Sequence, residues 1–212
     1  MKVLVFDLDG TLVDTILDIG SSMNKALEEF GYHTHPLTKY SEFIGEGVIV
    51  LAKRAIGTEV SEEVVQNVVD RYNEIYKDNC MNLSKPFPKM IETLDTLISK
   101  GYKLAVISNK PDYDTQRIIN HYFDERFIYI AGSKKDVLRK PNPMAMNLFM
   151  EKFDLDINDI TYIGDSRYDA LFAINSGCNY YLFEYGYDKK EIIKQYKPQA
   201  FLQEAIDLLK YF

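Results

Sequence analysis

The chain has 212 residues, 46% of them hydrophobic and 27% charged, with a formal net charge of −7. Those proportions suit an ordinary globular protein with one good core, or a core with a smaller inserted domain. An acidic balance without a Lys/Arg cluster argues against a nucleic-acid backbone as main partner, and no apolar run reaches membrane-spanning length. Cys80 and Cys178 are far apart and lack metal-ligand spacing, so both read as reduced thiols. The apolar start is short, is interrupted by Asp7 and lacks a cleavage pattern, so no signal peptide is expected. The expected location is the cytoplasm.

The run Lys2–Phe6 does not alternate, which predicts a strand buried on both faces, as in a parallel sheet. It ends in Asp7-Leu8-Asp9-Gly10-Thr11. In an open α/β sheet, ligands bind just beyond the carboxyl ends of the strands, so Asp7 and Asp9 stand where chemistry is expected. Two carboxylates so close repel each other unless a cation or a proton intervenes. An acidic turn with a glycine at positive φ would give the same string, so the downstream residues must decide.

From Thr15 the period becomes helical through Ile16, Ile19, Met23, Ala26, Leu27 and Phe30, with Gly31 as the stop. His33 and His35 follow without further ligands and read as exposed loop residues rather than a metal site. Ile44-Gly45-Glu46-Gly47 leads into a helix carrying Val48, Leu51, Ala52 and Ala55 and closed by Gly57. Ser61 is a predicted N-cap with Glu62 and Glu63 in the first turn of a helix running towards Cys80. Residues 15–82 therefore form a predicted helical insertion, and residues 1–14 and 83–212 a predicted α/β core. Asn82 to Pro88 reads as a linker.

The βα rhythm then starts. A helix ends at Gly101, and a strand over Lys103–Ile107 stops at Ser108-Asn109. Pro111 opens a helix, where its missing N–H costs nothing. A third strand spans Phe127–Ala131, and Lys140-Pro141 opens a helix containing Met144, Leu148 and Phe149. Thr161–Ile163 is a short strand delivering Gly164-Asp165-Ser166-Arg167-Tyr168-Asp169. A helix to Gly177, a strand over Asn179–Phe183 and an amphipathic helix from Leu202 to about Leu209 complete the chain. Alternating strands and helices predict an α/β fold with a doubly wound parallel sheet and right-handed crossovers.

Three buried strands thus end in polar groups at one sheet edge, and here the sequence resembles the haloacid dehalogenase superfamily on its phosphatase side. Asp7-x-Asp9-Gly10-Thr11 is similar to the first motif of that superfamily, Ile107-Ser108-Asn109 to the second, Lys140-Pro141 to the third, and Gly164-Asp165 with Asp169 to the fourth. Order and spacing match across almost the whole chain, and the helical insertion resembles the first cap type.

The resemblance implies a Rossmann-like core with a helical cap (lid), and a hydrolase that works through an aspartyl-phosphate. Asp7 is the implied nucleophile and Asp9 the implied acid and base. Ser108, Asn109 and Lys140 are the implied phosphate-binding groups. Mg²⁺ is the implied cofactor, with Asp7, the main chain of Asp9 and Asp165 as ligands and Asp169 acting directly or through water. The carboxylate at Asp9 favours phosphate chemistry over dehalogenation, which needs no acid.

Ile44–Gly47, the helix end Lys53-Arg54-Ala55-Ile56-Gly57, Ser108–Pro111 and Gly164–Ser166 resemble the phosphoglycolate phosphatase branch. Phe87-Pro88-Lys89 departs from it, because the branch usually has a Pro-Gly pair there. Gly45, Glu46 and Gly47 are candidate substrate-selecting residues, and a plain helix-start turn is the other reading. Lys53, Arg54 or Lys110 could meet a second anionic group on the substrate. The expected substrate is a small phosphorylated metabolite, 2-phosphoglycolate first. Pyrophosphate, a nucleotide, a sugar phosphate, a phosphomutase reaction or a non-catalytic phosphate sensor are the alternatives. No nucleic-acid or membrane partner is expected, and monomer and homodimer both stay open.

Overall fold

A computed structural model describes residues 1–212. The elements in chain order are β1 (Val3–Phe6), β2 (Val13–Asp14), α1 (Ile16–Glu29), α2 (Val48–Ile56), α3 (Glu62–Asn79), β3 (Lys85–Pro86), α4 (Met90–Ser99), β4 (Lys103–Pro111), α5 (Asp112–Phe123), β5 (Phe127–Ser133), α6 (Met144–Phe153), β6 (Ile160–Gly164), α7 (Arg167–Ser176), β7 (Asn179–Phe183), α8 (Lys190–Ile193) and β8 (Phe201–Leu202). The chain divides into two compact units, Met1–Val13 with Pro86–Phe212, and Asp14–Lys85. The short strands β2 and β3, which carry the two crossings between units, pair with each other.

The first unit is a six-stranded sheet in the order β5-β4-β1-β6-β7-β8, with every neighbouring pair parallel. All four residues of β1 are at most 1% exposed, as the non-alternating run requires of a central strand covered on both faces. After β1 the chain builds outward on one side through β4 and β5. It then returns across β1 to build the other side through β6, β7 and β8. Such a reversal of strand order is where open α/β sheets bind ligands. Phe6 pairs with Val106 on one side and Ile163 on the other, so the β1 turn opens between β6, which ends one residue on, and β4, which runs on beside β5. One core cluster joins Val3, Val5, Ile107, Tyr162, Phe149 and Phe172 beneath that edge. No helix is long and apolar enough to cross a membrane.

Several local expectations are corrected. β4 does not stop at Ser108-Asn109 but continues to Pro111, which still pairs with Ser133. Gly132 permits that extension, because a Cβ there would stand 2.5 Å from the Asp112 Cα and 2.6 Å from the Lys110 carbonyl. Pro111 accordingly precedes α5 instead of starting it. Lys140 lies ahead of α6, which begins at Met144. Leu202 belongs to edge strand β8, paired with Phe183, and only Ala205–Lys210 coils, as a 3-10 helix opened by a capping box of Glu204 and Asp207.

The second unit is helical. Ser61 caps α3 by accepting the Val64 N–H at 3.3 Å, and Gly57 closes α2 in the left-handed conformation with φ +72°. A 3-10 turn over Leu37–Glu42 carries the buried Tyr40. His35 is not the exposed loop residue expected. Its Nε2 lies 2.6 Å from the Ala55 carbonyl, its backbone is held by the Asn24 amide at both N–H and C=O, and its ring packs edge-on against Tyr40 and Phe43. Asp18, 1% exposed, ties the start of α1 to the end of the unit by accepting the Leu83 N–H, the Ser84 N–H at 2.8 Å and the Ser84 hydroxyl at 2.6 Å.

Asp18→Ala would strand those three donors in a site with little water. It is expected to cost about 2–4 kcal/mol, the scale of a broken buried charge-assisted network. Urea denaturation of wild type and variant measures it, and a loss below about 0.5 kcal/mol would contradict this account.

Candidate active site

The loop after β1 is shaped by its own backbone. The Asp7 N–H donates to the Ile163 carbonyl at 2.9 Å, prolonging the β1–β6 ladder by one step. The chain then turns, with Gly10 at φ +82° and the Thr11, Leu12 and Val13 amides converging on the Leu8 carbonyl. Gly10 must be glycine for a second reason, since a Cβ would come 2.5 Å from the Asp165 Oδ2. The turn brings the Thr11 hydroxyl to Asp165 Oδ1 at 2.8 Å.

Around this turn Asp7, Asp165 and Asp169 converge, each offering a carboxylate oxygen within 4.8 Å of the others, and all three are buried. Lys140 enters the group from the loop before α6. Its Nζ lies 2.9 Å from Asp7 Oδ1 and 2.7 Å from Asp169 Oδ1, and donates to the Tyr162 hydroxyl at 2.8 Å. Asn109 fixes that lysine. Its amide donates to the Lys140 carbonyl at 3.0 Å and accepts the Lys140 N–H at 2.8 Å, so the loop is gripped from the end of β4. This is a positioning task, where the motif alone suggested phosphate contact. The Ser108 hydroxyl accepts the Lys110 N–H at 3.3 Å, which leaves its own proton to be donated elsewhere.

Asp9 stands apart from the acidic triad. Its two oxygens lie 3.0 and 3.2 Å from the Lys110 ammonium, whose side chain is 4% exposed. Asp169 is heavily committed. Oδ1 meets Lys140 and the Tyr162 hydroxyl, while Oδ2 accepts the backbone N–H of Asp165 and of Ser166 and the Ser166 hydroxyl at 2.6 Å. With Ser166 it forms the capping box of α7, and Gly164 leaves the room that this needs, since a Cβ there would lie 2.4 Å from the Asp169 carboxyl carbon. A carboxylate offers about four lone-pair positions, so Asp169 is nearly spent on holding its neighbours.

The electrostatics follow from that geometry. Burial pushes the Asp7 carboxyl up to about 6, with Lys140 pulling against it. Asp165 is driven well above the usual carboxylate range by burial first and then by Asp169 and Asp7. Burial would raise Asp169 too, but Lys140 and the Ser166 hydroxyl outweigh it and hold that group low. Lys140 loses by burial and gains more from Asp169 and Asp7, so it stays charged. Three carboxyl groups share one ammonium, so their mutual repulsion is met only in part. A small hard cation liganded by oxygen fits Asp7 and Asp165, the two carboxylates whose charge is least compensated.

The family described as haloacid dehalogenase-like hydrolase matches residues 4–183, which span every group described above. This chain belongs to that family. Among its relatives, a phosphoglycolate phosphatase of Haemophilus influenzae is 33% identical over 98% of this chain and 96% of its own length. One of Mannheimia succiniciproducens is 33% identical over 99% and 97%. The crystal structure of a predicted phosphoglycolate phosphatase from Haemophilus somnus superposes with a TM-score of 0.93 at 32% identity, covering 100% of this chain and 97% of that one. Within the haloacid dehalogenase-like hydrolases, the chain is a phosphatase.

The residues this phosphatase was expected to use divide in two. Asp7, Ser108, Asn109, Lys140, Asp165 and Asp169 gather at one sheet edge, with Asp9 and Lys110 paired beside them. Gly45, Glu46 and Gly47 lie in the helical unit, where Gly45 and Gly47 adopt φ +108° and +90°. Glu46 there is ion-paired with Arg54, which also donates to the Phe43 carbonyl at 3.1 Å. Lys53 likewise pairs with Glu62 at 2.6 Å. The cations expected to await a substrate anion therefore hold internal carboxylates in this structure.

Tyr162 is a site residue that the sequence reading passed over as strand. Its hydroxyl donates to the Ile107 carbonyl at 2.9 Å while receiving Lys140, which ties β6 to β4 under the cluster. A polar-tipped residue inside a short buried strand was the available signal. Tyr162→Phe would leave the Ile107 carbonyl and one Lys140 proton without that partner. It is expected to cost about 1–3 kcal/mol of stability and to lower kcat about tenfold by loosening Lys140. Urea denaturation and steady-state kinetics on p-nitrophenyl phosphate test both, and wild-type kcat in the variant would remove Tyr162 from the supporting shell.

Proposed function

We propose that this phosphatase hydrolyses a small phosphomonoester, 2-phosphoglycolate first among candidates, through an aspartyl-phosphate formed on Asp7 with Mg²⁺ as cofactor. The observation that carries this reading is the placement of Asp7. It stands at the carboxyl end of the central strand, at the strand-order reversal, with one oxygen fixed by a buried lysine. Full-length relatedness to phosphoglycolate phosphatases supports the choice of substrate.

In the first step an Asp7 oxygen attacks phosphorus, the phosphorus–ester oxygen bond breaks, and the departing alkoxide takes a proton from Asp9. In the second, the Asp9 carboxylate removes a proton from water. That oxygen attacks the phosphoryl group, the bond to Asp7 breaks, and inorganic phosphate leaves. Lys140 orients Asp7 and meets negative charge building on the phosphoryl oxygens, with the Ser108 hydroxyl as a further donor. Mg²⁺, held by Asp7, the Asp9 carbonyl and Asp165, would supply the positive charge that lets a dianion approach a carboxylate. Asp169 would act by positioning Lys140 and the Asp165 backbone. Residues 15–82 would serve as the substrate-selecting cap (lid). Lys110 would restrain Asp9 between turnovers.

Asp7→Asn is nearly isosteric and cannot attack, so it should retain the fold and lose turnover by at least about 10³-fold. Chelation should abolish wild-type activity and Mg²⁺ should restore it, with Ca²⁺ a poor substitute because of its looser coordination. Asp9→Ala should accumulate phosphoenzyme with a good leaving group such as p-nitrophenol, seen by mass spectrometry after rapid quenching as one added phosphoryl group. Undiminished turnover in Asp7→Asn, or full activity in chelator, would overturn the mechanism.

Substrate choice is tested separately. Gly45→Val should damage kcat/KM for 2-phosphoglycolate more than for p-nitrophenyl phosphate, because a side chain at φ +108° distorts the turn ahead of α2. Equal losses on both substrates would remove residues 45–47 from selection and leave the hydrolase standing.

A further inference from the structure

The loop between β7 and α8 is not part of any motif discussed above, yet it closes over Asp165. The Tyr187 N–H donates to Asp165 Oδ2 at 2.8 Å, opposite the Thr11 hydroxyl on Oδ1. Gly186 lies so near that a Cβ would stand 2.1 Å from the Asp165 Cβ, and a Cβ at Gly10 would likewise stand 2.5 Å from Oδ2. The carboxylate is thus gripped between two backbones, each of which owes its approach to a glycine.

The loop is pinned at both ends. At one end the Tyr185 hydroxyl donates to the Thr11 carbonyl at 2.8 Å, with its ring 4.2 Å from that of Phe87 and 4.5 Å from that of Phe183. At the other end Asp188 Oδ2 accepts the backbone N–H of Arg167 at 3.0 Å and its Nε at 2.8 Å, and Oδ1 accepts a guanidinium N–H at 2.6 Å. Arg167 is the first residue of α7, so Asp188 also satisfies an open amide at that helix start. A two-pronged carboxylate–guanidinium pair sets direction as well as distance.

We infer that residues 185–188 are a clamp that positions Asp165 as a metal ligand, with Asp188 and Tyr185 as positioning residues that never touch the metal. This rests on the reading of Asp165 as a ligand. The physical reason is that Asp165 lies beside two other buried carboxylates, so without a restraint it would rotate away from them whenever no cation is present. Two fixed donors, one on each oxygen, hold it facing the cluster and lower the reorganisation needed when a cation arrives.

The test measures metal binding directly. Mn²⁺ would be titrated into metal-free wild type, Asp188→Ala, Asp188→Asn, Tyr185→Phe and Asp165→Asn, with free ion followed by electron paramagnetic resonance and folding by thermal melting without metal. Asp188→Ala should weaken Mn²⁺ binding about 10- to 100-fold, the usual cost of an outer supporting partner. Asp188→Asn, which keeps an oxygen for the Arg167 amide, should recover part of the loss, and Tyr185→Phe should fall between Asp188→Asn and wild type. If Asp188→Ala does not fold, Tyr185→Phe alone decides, and binding equal to wild type overturns the clamp. If Asp165→Asn loses Mn²⁺ while Asp188→Ala and Tyr185→Phe bind as wild type, the clamp is wrong and Asp165 remains a ligand. If Asp165→Asn binds as wild type, the ligand assignment fails and the clamp with it.

Discussion

Everything at the sheet edge answers one difficulty, the crowding of three buried carboxylates around a single ammonium. Asp7, Asp165 and Asp169 lie within 4.8 Å of one another, and Lys140 reaches only two of them, Asp7 and Asp169. Desolvation makes each uncompensated charge expensive, so the structure surrounds the oxygens of Asp165 and Asp169 with donors drawn from separate elements. Thr11 comes from the β1 turn, Tyr187 from the β7–α8 loop, Ser166 from the α7 cap and Tyr162 from β6. Loss of any one donor raises the cost of the others' arrangement, because in a dry site their fields add.

The sheet topology makes such crowding possible. β1 is flanked by β4 and β6 in parallel register, so the chain ends above Phe6, Val106 and Ile163 emerge side by side. A parallel sheet sends every strand's carboxyl end the same way, and the strand-order reversal at β1 parts the flanking connections so that polar groups can converge there. Asn109 then reaches across to grip Lys140, which is why a loop residue outside any regular element can hold a buried charge in a fixed place.

The architecture was largely readable, because a buried parallel strand leaves an unbroken apolar run and an amphipathic helix leaves a 3.6-residue period. Val3–Phe6, Lys103–Ile107 and Thr161–Ile163 announced themselves in that way, as did the Ser61 cap. What escaped was set by tertiary context. Ser108–Pro111 looks like the end of a strand, and it runs on because β5 lies beside it with room left at Gly132. His35 looks like a loop residue until Asn24 and Ala55 are brought to it. Asp169 announced a ligand, yet four residues after Asp165 it also stands at the third position of a helix, where Ser166 recruits it as a cap. The loop 185–188 carries no local signal at all, because its role depends on backbone amides and on the room left by glycines.

The balance of charge bears on what a cation would add at this sheet edge. Asp7, Asp9, Asp165 and Asp169 are four carboxyl groups set against two ammonium groups, Lys110 and Lys140, each already engaged by carboxylates. A phosphomonoester dianion would meet more carboxyl groups than ammonium groups, inside a chain whose overall charge of −7 gives no help from a distance. On the proposed reading, a divalent cation held by Asp7 and Asp165 would offset that charge before the substrate arrives, and would let Lys140 answer the charge that develops on the phosphoryl oxygens. On the proposed reading, the division of labour is therefore imposed by arithmetic. On that reading, Asp169 and the clamp would hold the framework, the cation would neutralise it, and only Asp7 and Asp9 would be left to change their bonds.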